Sequence, residues 1–398
     1  KRLGDTRAEA DVLIGTARCL LLSGELARAE FCIGQALPLV KTMNSDHLLM
    51  ANCHWCYGRT LLCCGCWQDA IDAFLEAKPY MRSDAGFGYY LLGRGHLASG
   101  DNSLAAKYFQ DALIARSLGS RTYEEPSRLP FPLVPRLLAG MEEACGQPSA
   151  FRAWYRGSRK DLSHLDMHID AWYLTAAQTR PVGSSLLYAS DTSALLSEWS
   201  WVDQFGDCRY IADEMVVINA ANGRHLWHAN LSAPRLLLPL PRGVPDVAVQ
   251  VACEPELDDR PAIGGLLLWR DKRDYLWLEV GRFGKRDVAF GGCLDNKDLV
   301  IGRGRLPTGS EPAWVMGEEV TLRLELIGDR VDAFCSHDGE QWDTVGHTTF
   351  PIDDTVQVGV HAIGMIDRTI YHGAYPEGTA IRFTGFGIWG VPEMEASP

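Results

Sequence analysis

Small and apolar residues recur with one spacing three times in the first 120 residues of the chain. The copies are Ala17, Leu20, Gly24, Ala29 and Ala36; Gly58, Leu61, Gly65, Ala70 and Ala77; and Gly93, His96, Gly100, Ala105 and Ala112. The pattern predicts three pairs of helices, because small residues at this spacing allow two helices to pack closely. A glycine that ends the first helix of each pair permits a left-handed turn.

This pattern resembles the tetratricopeptide repeat over residues 8–118. Successive turn glycines are 41 and 35 residues apart, whereas the common repeat has a period of about 34 residues. We therefore expect the helices of the first repeat, or their connection, to be longer than usual. In bacterial signalling ATPases and transcription activators, repeats of this long type commonly follow a nucleotide-binding switch. The resemblance implies a groove that binds a protein or a peptide.

Beyond Thr179 the period of apolar residues changes from 3.6 to 2, which predicts β-strands. The clearest predicted strands are Ile263–Trp269, Tyr275–Val280, Val320–Ile327, Arg330–Ser336 and Val356–Ile363. On one of them, Leu322 and Leu324 face one way, while Arg323 and Glu325 face the other. Strands with one apolar face predict a two-sheet sandwich in which only one face of each sheet is buried.

Six short motifs occur in one order along this second part of the chain. They are Ser232–Leu237, Gly264–Asp271, Tyr275–Leu278, Leu322–Glu325, Ser336–Trp342 and Val356–Gly359. Together they resemble the concanavalin A-like β-sandwich at the C-terminus of bacterial β-xylosidases and the related domain of unknown function 1349, over residues 195–390. The resemblance implies a fold related to lectins and glucanases.

The predicted fold class is therefore multidomain α and β. An all-α solenoid of helical hairpins is followed by an all-β, concanavalin-like two-sheet sandwich, or jelly roll. The predicted domains are the repeats at 1–118, a linker with capping helices at 119–194, the sandwich at 195–391 and a tail at 392–398. Prolines at 126, 130, 132 and 135 break helical continuity after the repeats.

The net charge of −13 lies almost entirely in the second part of the chain. Residues 1–150 carry 15 basic and 16 acidic side chains, and residues 151–398 carry 23 and 35. An acidic surface repels phosphate backbones, so we expect no nucleic-acid partner. The sequence has no long apolar run and no signal-peptide pattern, so we expect no membrane partner and a cytoplasmic location.

Five of the twelve cysteines are concentrated in the second repeat, at Cys53, Cys56, Cys63, Cys64 and Cys66. Cys63 lies about two helical turns beyond Cys56, roughly 10 Å along the axis, which is too far for one tetrahedral ion. We therefore expect small buried residues in a reducing compartment and no metal site.

None of the catalytic motifs considered below occurs in the sequence. The acidic stretch Glu254–Arg260 lacks the order and the closing glutamate of laminarinase-like enzymes. A phosphate-binding loop, a zinc helix and a nucleophile elbow are also absent. We therefore expect no catalytic residues, no cofactor and no enzymatic activity in this region, although an upstream kinase or ATPase is possible in a longer protein.

Several aromatic and polar side chains of the predicted sandwich are candidates for ligand binding. Tyr275 and Trp277 alternate with leucines and face away from the core, as His361 does on another strand. Aromatic rings beside polar groups suit a sugar, and the alternative is that other protein covers the rings. Arg303 and Arg305 either donate to a ligand or neutralise nearby carboxylates. The ligand-binding candidates are Tyr275, Trp277, Arg303, Arg305, His361, Arg368, Tyr371, His372, Trp227 and His228.

The combined features indicate a non-catalytic regulatory or scaffolding protein. We expect the C-terminal part of a larger bacterial signalling protein, with protein-binding repeats and a ligand-sensing, lectin-like sandwich. A carbohydrate is the possible sandwich ligand. The alternative function is a carbohydrate-binding or glycoside-hydrolase accessory protein, which the twelve cysteines and the lack of an export signal disfavour.

Overall fold

The chain divides into two compact units in the computed structural model. One contains Lys1–Met167 with Asp367–Pro376, and the other contains His168–Ile366 with Glu377–Pro398. The structure describes residues 6–43, 46–80, 85–118, 133–146, 150–151, 153–157, 175–176, 186–189, 199–212, 215–241, 246–255, 260–284, 287–304 and 319–390. The predicted fold class, N-terminal helices followed by a two-sheet sandwich, is confirmed.

The helical unit is a series of antiparallel hairpins. Its helices are α1 (Thr6–Leu22), α2 (Leu26–Lys41), α3 (His47–Cys63), α4 (Trp67–Ala77), α5 (Ala85–Ala98), α6 (Asn102–Leu118) and α7 (Leu133–Cys145). Helices α1 and α2, α3 and α4, and α5 and α6 pack as pairs, and each pair also contacts the next helix along the chain. The long first period arises in the helices, because α2 has 16 residues and α4 has 11.

The three predicted turn glycines end the first helix of each pair in one geometry. Gly24, Gly65 and Gly100 have φ angles of 79°, 80° and 85°. After each glycine, the next N–H donates back to the carbonyl of the residue four positions before that glycine, which is the Schellman arrangement. The repeated sequence spacing therefore specifies a repeated turn.

Close helix packing explains the small residues of the pattern. A Cβ on Gly58 would lie 2.3 Å from the ring of Phe74, and a Cβ on Gly93 would lie 2.4 Å from the ring of Phe109. Both rings are fully buried. A larger residue at either glycine position would separate the two helices of the hairpin.

The other unit is a sandwich of two antiparallel sheets. Among the described residues, the first sheet contains β1 (Thr175–Ala176), β2 (Leu186–Ala189), β4 (Arg209–Ala212), β5 (Val216–Ala220), β7 (Asp246–Pro255), β12 (Val320–Ile327), β13 (Arg330–Ser336), β14 (Asp343–Thr349) and β16 (Thr379–Gly390). The second contains β3 (Ser200–Val202), β6 (Arg235–Pro239), β8 (Gly264–Trp269), β9 (Tyr275–Val280), β10 (Val288–Leu294), β11 (Lys297–Gly304) and β15 (Gln357–Ala362).

Alternate residues of facing strands form the sandwich core. Leu322 and Leu324 of β12 pack in one cluster with Leu276 and Leu278 of β9. The expectation that only one face of each sheet is buried is wrong for both strands, because their outward residues are buried too. Alternation along a strand assigns a residue to a face but does not show whether that face is covered.

Within the described residues, no helix has the length and apolar character that crossing a bilayer requires.

Candidate functional site

The segment Asp367–Pro376 packs among the helices of the helical unit. It begins with a tight turn, in which the N–H groups of Ile370 and Tyr371 donate to the carbonyl of Asp367. The Asp367 carboxylate also accepts from the N–H and the hydroxyl of Thr369, at 3.0 and 2.7 Å. The acid and the hydroxyl are thereby fixed side by side before either contacts a helix.

Helices α5 and α7 hold this turn through charged and polar groups. Arg136 of α7 forms an ion pair with Asp367, and both side chains are buried. On α5, the Tyr90 hydroxyl lies 2.7 Å from the Thr369 hydroxyl, and Arg94 Nε donates to the Thr369 carbonyl at 2.8 Å. Side chain and backbone of the segment are thus both recognised.

Helices α1 and α3 contact the same segment. The Cys63 thiol of α3 donates to the Arg368 carbonyl at 3.4 Å. The Arg368 guanidinium donates to the carbonyls of Gly373 and of Leu22 in α1, at 2.9 and 3.4 Å, and lies over the Tyr375 ring. The first helix of each hairpin and α7 therefore line one groove, which we call the segment groove.

Electrostatics favour the ionised form of the acid in this groove. Burial alone raises the pKa of Asp367, but Arg136, the bonds from Thr369 and the charge of Arg59 together hold it below its ordinary value. Burial raises the pKa of Tyr90, so its phenol stays protonated and able to donate. The groove therefore binds a carboxylate beside a neutral hydroxyl.

Sequence reasoning missed the arginines of this groove, although a signal for them exists. Arg18, Arg59 and Arg94 each directly follow the small residue that opens a copy of the repeated pattern. They therefore occupy equivalent positions on α1, α3 and α5. Arg18 donates to Asn52 at 3.0 Å and Arg94 pairs with Glu143 at 2.9 Å. In the described part of the chain, Arg59 makes no ion pair, and its buried Nε has no hydrogen-bond partner.

Three of the predicted ligand residues lie in this segment. Arg368 and Tyr371 are buried, and His372 is half-buried against the Trp67 ring. The segment that carries these three residues packs in the helical unit, although it lies between two sandwich strands in the sequence. As contacts for an external ligand they stay a prediction.

A second group of predicted residues meets on the outer face of the seven-stranded sheet. Tyr275 and Trp277 point away from the core, as predicted, but both are fully buried. The Trp277 ring lies against Gly291 on the next strand, and the Arg282 guanidinium lies 4.2 Å from the ring centre. Of the two alternatives for these rings, the burial agrees with the second, in which protein covers them.

His361 belongs to the same face and is equally buried. Its Nε2 lies 2.8 Å from the Glu279 carboxylate, which also pairs with Arg282. Gly265 lies between His361 and Glu279 in the strand register and has no side chain to separate them. Burial raises the pKa of Glu279, but Arg282 and His361 outweigh it and hold the value at about 2. Glu279 is therefore paired with both Arg282 and His361.

Trp227, His228 and Arg303 lie at the edge of this face. Trp227 is half-buried, and the exposed imidazole of His228 pairs with Asp298. Arg303 lies over the Phe283 ring, and burial lowers its pKa to about 10. Arg305 lies outside the described residues. The described members of the predicted set are thus divided between the two units.

One group of the described residues has the donor types of a cation site. The ligand atoms of Asp203, Asp207 and Cys208 lie within 4.8 Å of one another. Asp207 and Cys208 also line an open cavity of about 370 Å³. However, Asp207 is paired with Arg224, whose charge opposes that of an incoming cation.

Three of the five cysteines of the second repeat are buried, whereas Cys64 and Cys66 are exposed, so the expectation of small buried residues is wrong for those two. All twelve cysteines of the chain are free thiols. Cys53, Cys56 and Cys63 are buried, and desolvation raises the pKa of Cys53 and of Cys63 to about 12. Such thiols remain protonated near neutral pH, whereas metal ligation requires thiolates.

No family model and no curated protein matches the chain. Solved structures similar to it include a functionally unknown protein from Saccharomyces cerevisiae, with 15% identity, a TM-score of 0.38, and coverage of 50% of this chain and 98% of that one. Another is xylan β-1,4-xylosidase from Bacillus halodurans, with 13% identity, a TM-score of 0.34, and coverage of 44% of this chain and 33% of that one. A third is the exoplasmic/lumenal domain of VIP36, with 11% identity, a TM-score of 0.32, and coverage of 50% of this chain and 86% of that one. At TM-scores below 0.5, these similarities carry no argument about function.

Proposed function

We propose that this chain is a non-catalytic regulatory or scaffolding module whose helical repeats, of the tetratricopeptide kind, bind protein segments. One observation supports the proposal most strongly: Arg136, Tyr90 and Arg94 hold the acid, hydroxyl and carbonyl of the turn at Asp367 and Thr369. The occupant is a short chain segment, which is the chemical class that the proposal assigns to this groove.

The groove needs an occupant that carries negative charge. Arg136 is almost completely buried, and a buried guanidinium without its partner costs several kcal/mol. If Asp367 leaves, another carboxylate must pair with this charge or water must enter. This requirement distinguishes the segment groove from an apolar surface, which would accept many sequences.

The test uses the full chain with Asp367–Pro376 replaced by ten glycine and serine residues. A labelled peptide of residues 367–376 is titrated against this variant, and its fluorescence anisotropy is followed. We expect saturable binding, which falls at least tenfold when Arg136→Met is added, because the peptide carboxylate loses its charged partner. Absence of binding to a variant with native circular dichroism would contradict the proposed function.

A second candidate, carbohydrate binding, is supported by the half-exposed side chains of Trp227 and His228. A sugar ring stacks on an indole, while polar groups at its edge accept and donate hydrogen bonds. A glycan array identifies the ligand, and Trp227→Ala should abolish that signal. Equal signals from Trp227→Ala and the unmodified chain would eliminate this site.

A regulatory role also requires an effector domain for this module to regulate. We propose that an upstream kinase or signalling ATPase accompanies this chain in a bacterial, cytoplasmic protein, and that the groove transmits partner binding to it. Mass determination of the native polypeptide from source cells tests this part, because an effector domain would add hundreds of residues. A native mass of 44.0 kDa would remove the upstream effector.

A further inference from the structure

Three oxygen atoms of the internal segment lie in one small cluster within the segment groove. They are the two carboxylate oxygens of Asp367 and the hydroxyl oxygen of Thr369, which donates its proton to Asp367 Oδ1 at 2.7 Å. Both residues are almost completely buried. A phosphoryl group presents three acceptor oxygens in a similarly compact arrangement. This oxygen cluster therefore has the size of a phosphoryl group.

The donors around the oxygen cluster contact all three of its atoms. Arg136 Nη2 pairs with Asp367 Oδ2 and also lies 3.4 Å from the Thr369 hydroxyl. The backbone N–H of Thr369 donates to Oδ1 at 3.0 Å. Because the Thr369 hydroxyl proton is directed at Asp367, the Tyr90 hydroxyl donates to the third oxygen, at 2.7 Å. A guanidinium, a phenol and a backbone amide thus form a donor set that suits an anion with three oxygens.

Arg94 holds the segment beside this cluster through its backbone. Its Nε donates to the Thr369 carbonyl at 2.8 Å, while its Nη1 pairs with Glu143 at 2.9 Å. Any residue at the position of Thr369 offers the same carbonyl. The groove therefore fixes the backbone two positions after the acid, whatever side chain is present there.

We propose that the partner of the segment groove is a protein segment with a phosphoserine at the position of Asp367 and a small residue, such as alanine, at the position of Thr369. A phosphoserine side chain is longer than that of aspartate, so its phosphoryl oxygens extend from the carboxylate position to the hydroxyl position. The small residue leaves room for them. Arg136 and Tyr90 donate to these oxygens. This inference rests on the proposed function and specifies the chemistry of the partner.

The additional charge gives such a partner its advantage over the internal segment. A segment tethered in the same chain competes at an effective concentration of order mM, so an identical external peptide would seldom displace it. A phosphoserine carries a charge of about −1.5 to −2 near neutral pH, whereas an ionised aspartate carries a single charge. Opposite an arginine, it forms hydrogen bonds that are shorter and stronger than neutral ones. Phosphorylation of the partner therefore shifts the competition towards it.

The experiment uses three peptides and the full-length glycine–serine variant described above. The first peptide has the sequence of residues 367–376, the second has phosphoserine for Asp367 and alanine for Thr369, and the third is the unphosphorylated form of the second. Fluorescence anisotropy measures each affinity. We expect the phosphopeptide to bind about tenfold more tightly than the first peptide, because one added hydrogen bond between charged groups is of this strength. The third peptide should bind least tightly, because it has no anion to pair with Arg136.

Two substitutions in the groove test which side chains hold the phosphoryl group. The advantage of the phosphopeptide over its unphosphorylated form should disappear in Arg136→Met, which lacks the guanidinium. It should fall severalfold in Tyr90→Phe, which lacks one donor, and persist in Tyr89→Phe. Tyr89 is the matched control on the same helix, because its ring stacks on that of Tyr108. Circular dichroism checks the fold of each variant.

The outcomes separate the two proposals. If none of the peptides binds, the proposed function fails, and this inference fails with it. If the first peptide binds as tightly as the phosphopeptide, or if the advantage of the phosphopeptide is unchanged in Tyr90→Phe, the proposed function stands and this inference is wrong. On the unmodified chain, the phosphopeptide should increase deuterium uptake of residues 367–376, whereas its unphosphorylated form should not.

Discussion

Gly24 and Ala374 approach so closely that a Cβ on Gly24 would lie 1.9 Å from the Ala374 carbonyl oxygen. Gly24 thus serves both the turn between α1 and α2 and the packing of the segment. Gly100 forms the same kind of turn with a φ of 85°, and a Cβ there would meet nothing within 4 Å. Comparison of Gly24 with Gly100 therefore distinguishes the effect of a left-handed backbone from the effect of contact with the segment.

We predict that Gly24→Ala releases the segment and that Gly100→Ala does not. Both substitutions carry the cost of a left-handed alanine, about 1–2 kcal/mol, but only the first clashes with a backbone carbonyl. Hydrogen exchange of the Ile370 and Tyr371 amides, which donate to Asp367, measures the release. Equal protection of these amides in the two variants would contradict the prediction.

Arg136→Met should lower the free energy of unfolding by about 3–5 kcal/mol, because it leaves the Asp367 carboxylate buried without its charge partner. Adding Asp367→Asn removes that charge and should recover part of the loss. Urea denaturation of the unmodified chain, both single variants and the double variant completes a thermodynamic cycle. Simple additivity of the two losses would show that the pair is not coupled.

Trp277→Ala should cost about 3–5 kcal/mol of unfolding free energy, because the ring is fully buried against Gly291 and Arg282. The matched control is Trp227→Ala, which truncates a half-exposed ring in the same unit and should cost about 1 kcal/mol. Chemical denaturation followed by circular dichroism measures both. Equal losses would place the two rings in equivalent environments.

Stability should depend on pH through His225. Burial and then the charge of Arg282 lower its pKa from 6.5 to about 3, although Glu279 nearby acts in the opposite direction. Between these values the unfolded chain binds a proton that the folded chain does not, so the free energy of unfolding falls as the pH drops from 6.5 towards 3. Glu279, with a pKa lowered from 4.5 to about 2, adds to this loss only below about pH 4.5.

His225→Gln should flatten the dependence between pH 6.5 and 5 by up to about 1.4 kcal/mol per pH unit. His228→Gln is the control, because that imidazole is exposed. Urea titrations at several pH values give the slopes. The same slope in His225→Gln and in the unmodified chain would show that His225 does not titrate in this way.

Local patterns predicted the elements well. The observed bounds of β9, β12 and β13 match the predicted ones, because apolar alternation ends where each strand turns. Gly24, Gly65 and Gly100 marked the helix turns, since few residues adopt a left-handed conformation there. These features depend on neighbours a few residues apart, which a sequence displays directly.

The site was less predictable, because its contacts join distant parts of the sequence. Arg136 and Asp367 are 231 positions apart, and Cys63 and Arg368 are 305 apart. No period relates such pairs, so the sequence did not place Arg368 among the helices. The sequence shows an arginine after the first small residue of each repeat. Its role as a groove residue becomes evident only when the segment that occupies the groove is known.

The discontinuous helical unit has a consequence for synthesis of the chain. About 210 residues separate the helical residue 157 from Asp367. At a translation rate of ~5–20 residues per second, the ribosome needs about 10 to 40 s to cover that distance. During this interval the newly made helices present Arg94 and Arg136 without the segment that later covers them. A nascent chain is therefore exposed to acidic binders before its own segment exists.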